Sequence, residues 1–65
     1  MTTYKSILIF GKNKIINTFL KETKKFYHIS HWEDENSVVL FIKFSDVVSF
    51  INEVQKVGLN LKLTI

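Results

Sequence analysis

The chain has no cysteine, arginine, proline or alanine, and only two glycines among its 65 residues. Without cysteine there is no disulfide and no thiolate metal site to brace a small fold. Without arginine it lacks the side chain best shaped for bidentate contact with phosphate or guanine. The missing alanine, arginine and proline, beside plentiful lysine, isoleucine and asparagine, track AT-rich codons more readily than any physical demand. That bias suits a low-GC bacterium or one of its phages. No apolar run approaches the roughly 20 residues needed to cross a bilayer. The apolar stretch between Lys5 and Gly11 is too short for a secretory signal and has no small-residue cleavage site. A soluble cytoplasmic protein is the expectation.

Hydrophobic residues make up 46% of the chain, too many for a disordered tail. The length allows one domain, residues 1–65. A chain of this size buries about 60% of the surface its unfolded form exposes. Its core is expected to supply no more than about 3–5 kcal/mol. With disulfides excluded, association with a second chain is the remaining common source of stability.

The densest apolar run is Ser37–Phe44, β-branched and aromatic, which reads as a central strand. Val38, Leu40, Ile42 and Phe44 form its core face; Val39, Phe41 and Lys43 form the other. Thr3–Phe10 is apolar on both faces and reads as a second interior strand. Gly11 ends it, and Asn13 is placed to cap the helix that follows. Over Lys14–Phe26, Ile15, Ile16, Phe19, Leu20, Thr23 and Phe26 recur at helical spacing, with Lys14, Thr18, Lys21 and Lys25 in a stripe opposite. Tyr27–Trp32 reads as a strand with Ile29 inward and His28, Ser30 and Trp32 outward. Glu33–Asn36 reads as a four-residue connection. Ser45 and Asp46 suit a helix start. Val47, Phe50, Ile51, Val54 and Val57 mark that helix's buried side, and Gly58 its left-handed stop. Leu59–Ile65 alternates as a half-buried strand.

This order, with short connections and right-handed crossovers, predicts an α+β, ferredoxin-like βαββαβ domain. Its four-stranded antiparallel sheet would run in the order 4-1-3-2, with both helices on one face. The uncovered face would then carry Tyr4, Leu8, Val39, Phe41 and Lys43, joined by Phe10 and by His28 and Trp32 from the second strand. An apolar patch of that kind marks a contact surface. The candidate partner or dimer interface is Tyr4, Leu8, Trp32, Val39, Phe41 and Lys43, and the partner is a second copy or another protein.

Charge supplies a second candidate. Lys5, Lys12, Lys14, Lys21, Lys24 and Lys25 face only Glu22 in the first 25 residues, whereas residues 33–53 hold five acids against Lys43. Lys14, Lys21 and Lys25 are the candidate anion or nucleic-acid contacts. Phe41-Ile42-Lys43-Phe44 also resembles the tail of the RNP1 motif of RNA-recognition domains, where strand aromatics stack on bases. The resemblance covers four residues, lacks the motif's glycines, and has Val39 and Leu8 where stacking aromatics would stand. The alternative function is nucleic-acid binding through the lysine stripe of the first helix and the sheet aromatics.

His28 and His31 would point to opposite faces of a regular strand, and no further ligands accompany them, so no metal site is expected. Gly11-Lys12-Asn13-Lys14 falls short of a phosphate loop. No nucleophile–base constellation is present, so neither a cofactor nor an enzymatic activity is expected. The resulting expectation is a small interaction module, homodimeric through its open sheet face, acting as a regulatory or inhibitory accessory protein.

Overall fold

A computed structural model describes residues 3–64, apart from the side chains of residues 29 and 64. The expectations placed on Ile29 and on a last strand reaching Ile65 lie outside these residues. The elements are β1 (Tyr4–Phe10), α1 (Asn13–Glu22), β2 (Tyr27–Asp34), β3 (Ser37–Lys43), α2 (Val47–Lys56) and β4 (Asn60–Thr64), with a 3-10 turn at Phe44–Asp46 leading into α2. The described strands form an antiparallel sheet in the order β2-β3-β1-β4. Both helices lie on one face of this small α+β domain, a broadly ferredoxin-like arrangement.

Period-two alternation in the central strands builds the core. Ile7 and Ile9 of β1 share a face with Val38, Leu40 and Ile42 of β3, and all five are fully buried. Ile16, Phe19 and Leu20 from α1 and Phe50 and Val54 from α2 close over them. The rings of Phe19 and Phe50 lie 5.5 Å apart, and Phe26 meets Phe50 edge-on at 6.3 Å. Aromatic pairs at such spacings add to the burial energy.

The helix ends differ from their expected positions in ways the side chains explain. Lys12, not Asn13, occupies the α1 N-cap, and no side chain caps it. Asn13 is the first helical residue and donates its side-chain amide to the Glu35 carbonyl at 2.6 Å. Gly11 N–H donates to the Asn36 carbonyl beside it, so the β2–β3 turn is tied to the start of α1 by two bonds. A Cβ on Gly11 would lie 2.6 Å from Leu59 Cδ2, so a larger residue here would displace that buried side chain. Helix α1 stops at Glu22 rather than Phe26: Thr23 is its C-cap, with backbone angles that leave the helix (φ −115°, ψ 23°), and its N–H and hydroxyl both bond the Phe19 carbonyl. Phe26 reaches the core from the turn that follows.

The α2 C-terminus matches its signal. Gly58 adopts φ +77°, its N–H bonds the Gln55 carbonyl, and Leu59 N–H bonds the Val54 carbonyl. This is the Schellman pattern, with its apolar contact supplied by the buried Leu59 and Val54. At the other end, Ser45 falls inside the 3-10 turn, and Asp46 holds the N-cap without a side-chain bond.

Three residues assigned to the core are exposed instead. β3 ends at Lys43, so Phe44 swings out and is 65% exposed. Ile15 and Val57 remain at the rim, each over a third exposed.

Phe50→Ala should remove about 3–5 kcal/mol, as much as the whole expected core supplies. Circular dichroism should therefore show an unfolded chain at room temperature. Phe44→Ala should shift stability by no more than about 0.5 kcal/mol in urea melts.

Candidate functional site on the open sheet face

The face away from the helices is set by the register of the central strands. Tyr4 lies opposite Lys43, Ser6 opposite Phe41, Leu8 opposite Val39 and Phe10 opposite Ser37. Tyr4, Phe10 and Phe41 are each more than a third exposed, and Leu8 and Val39 are half-buried between them. These side chains form one apolar band along the two inner strands. Leu8 also lies opposite Lys62 of β4, so the band gives way to polar residues at that edge.

Strand β2 departs from regular alternation, and this changes which residues share the face. Tyr27 pairs with Ile42 and Ser30 with Leu40, so β2 carries one extra residue there. A second irregularity separates Trp32, opposite Val38, from Asp34, opposite Ser37. Each extra residue reverses the in–out pattern. Trp32 therefore belongs to the helix side and packs against the core, which corrects its assignment to the interface. His31, opposite Val39, falls on the open face. His28 is there as well, with its ring 5.3 Å from that of Tyr4. The two histidines thus share a face instead of pointing apart. Nothing in the residue types of Tyr27–Trp32 signals the bulge, so regular alternation misplaces Trp32 and His31.

The β2–β3 connection is tighter than the four residues expected, with Glu35 and Asn36 between the strands. Among the described residues no non-glycine residue has positive φ, so the turn is not one of the mirror-image types that match strand twist. The irregularity before Asp34 takes up the mismatch. Asn36 N–H donates to Asp34 Oδ1 at 2.7 Å. That bond, followed by one from the Ser37 hydroxyl, holds the Asp34 carboxyl below its ordinary value of 3.8. A shallow hollow at this end is lined by Leu8, Phe10, Lys12, Asp34, Ser37 and Lys62.

The lysine stripe is shorter than its sequence spacing implies. Lys14 and Lys21 are exposed on α1, but Lys25 lies beyond the helix end. Its ammonium sits 5.1 Å from the centre of the Phe26 ring, a cation–π contact. Among the described residues, no group of three or more His, Asp or Glu side chains is placed to hold a metal ion. No described helix is long and apolar enough to cross a membrane. No protein-family model matches the chain, and no curated protein matches its sequence.

Because the folded Asp34 carboxyl titrates below the unfolded one, its ionised form stabilises the hairpin above about pH 3.8. That contribution is lost as the pH falls through the lowered folded value. Asp34→Asn keeps the turn acceptor but cannot ionise. Its urea midpoint should fall less than that of the wild type between about pH 5 and about pH 2.

Proposed function

We propose that this domain works by contact rather than catalysis, as a protein-interaction module whose open sheet face is the contact surface. The observation that carries the reading is the exposed band of Tyr4, Leu8, Phe10, Val39 and Phe41 behind a fully packed core. The core residues are committed to the helices, so the band is surplus to the fold of one chain. Burying a large apolar side chain is worth about 1.5–3 kcal/mol, and a domain this small has few other sources of stability. A second copy of the chain is the partner this reading favours, with another protein as the alternative occupant. In either case the domain would act as a regulatory or inhibitory accessory protein in the cytoplasm. Its codon-biased composition suits a phage or mobile element.

Phe41→Asp tests this directly. Phe41 is on the open face, so the variant should keep the wild-type circular dichroism spectrum while its sedimentation mass drops to the monomer's 7.7 kDa. A variant that unfolds, or one that keeps the wild-type mass, contradicts the reading.

One observation favours nucleic acid as a second reading. Tyr4 and His28 lie ring to ring, and Tyr4 is opposite Lys43 on the strand that carries Phe41. Aromatic rings beside a cation form a stacking platform for unpaired bases, and Lys14 and Lys21 add positive charge elsewhere on the surface. This reading predicts binding to single-stranded oligonucleotides at low salt that weakens steeply as salt is added. A flat fluorescence-anisotropy titration at low salt eliminates it.

A further inference from the structure

The hollow at the turn end of the open face is built differently from the rest of the apolar band. Leu8 and Phe10, two residues apart on the same face of β1, give it an apolar floor. Lys62 stands on one side, in β4 opposite Leu8, and Asp34 and Ser37 stand on the other, toward β3 and β2. Lys12 lines the end, where the chain leaves β1 for α1. The hollow holds about 720 Å³, within the range of small-molecule sites.

Its charged groups are not equally free. Asp34, the one acid that lines it, accepts from Asn36 N–H at 2.7 Å and from the Ser37 hydroxyl, so the turn already uses this carboxylate. Lys12 and Lys62 are exposed, and neither has an ion pair among the described residues. Two unpaired ammonium groups from separate elements therefore border one apolar floor. Exposed lysines hold a bare ion weakly, because water screens the attraction. A flat apolar body resting on Phe10 and Leu8 would add burial to that attraction and leave its charged end at the rim. A cation would meet two like charges and an acid that is already bonded. A neutral ring or an inorganic ion would use only half of what the hollow offers.

We propose that this hollow binds a small aromatic anion, with its ring on Phe10 and Leu8 and its phosphate or carboxylate between Lys12 and Lys62. The site goes beyond the contact reading given under Proposed function, since it needs only one end of the apolar band and no second protein.

A ligand and its two halves test it. The probe is 1-naphthyl phosphate, compared with 1-naphthol and with inorganic phosphate by NMR titration of the backbone amides at low salt. The naphthyl phosphate should saturate at millimolar concentration or below, with shifts centred on Leu8, Phe10, Lys12, Ser37 and Lys62. Each half should bind roughly ten-fold more weakly. Lys12→Gln and Lys62→Gln alter exposed side chains, so both should keep the wild-type circular dichroism spectrum. Each should weaken naphthyl phosphate roughly three-fold and leave 1-naphthol unchanged. The proposal is overturned if no binding saturates, if the shifts centre elsewhere, or if folded lysine variants bind like the wild type. Inorganic phosphate binding as tightly as naphthyl phosphate also overturns it, because the lysines would then be an ion site without the ring.

Discussion

Two helices can cover only one face of a four-stranded sheet, and this chain has central strands that are apolar on both faces. The organisation of the domain follows from that mismatch. The covered face is resolved inside the chain, where Ile7, Ile9, Val38, Leu40 and Ile42 lie buried beneath Phe19 and Phe50. The uncovered face leaves Tyr4, Phe10 and Phe41 partly in water.

The sheet's placement of charge follows from the same backbone. Antiparallel pairing puts Lys43 at one end of β3 and the β2–β3 turn at the other, where Asp34 lies with Lys12 and Lys62. The turn is held firmly. Gly11 N–H and the Asn13 amide reach across to its carbonyls, and Asp34 accepts from Asn36 within it.

Most of the fold was legible because strict periodicities govern it. Alternation in β1, β3 and β4 and helical spacing around Phe19 and Phe50 identified the elements, their order and nearly all the core. Gly58 announced the end of α2 because only glycine accepts its left-handed backbone at little cost. The errors arose where one local event overrode a period. The bulge after Tyr27 turned Trp32 inward and brought His31 to the open face. β3 ended a residue early, which released Phe44 to solvent, and α1 ended at Glu22, before Lys25 could join its stripe. The bulge depends on strand pairing that residue types alone do not encode. The candidate face was therefore legible on the central strands, through Tyr4, Leu8, Val39, Phe41 and Lys43, and illegible on the bulged edge.

The central claim is that the uncovered sheet face, rather than the helix layer, meets the partner. Backbone amide shifts followed by NMR as the protein is concentrated from micromolar to millimolar test it most directly. The account predicts concentration-dependent shifts confined to β1, β3 and the β2–β3 turn, centred on Leu8, Val39 and Phe41, while the helix amides hold still. Shifts centred on α1 and α2, or none across the range, would contradict it.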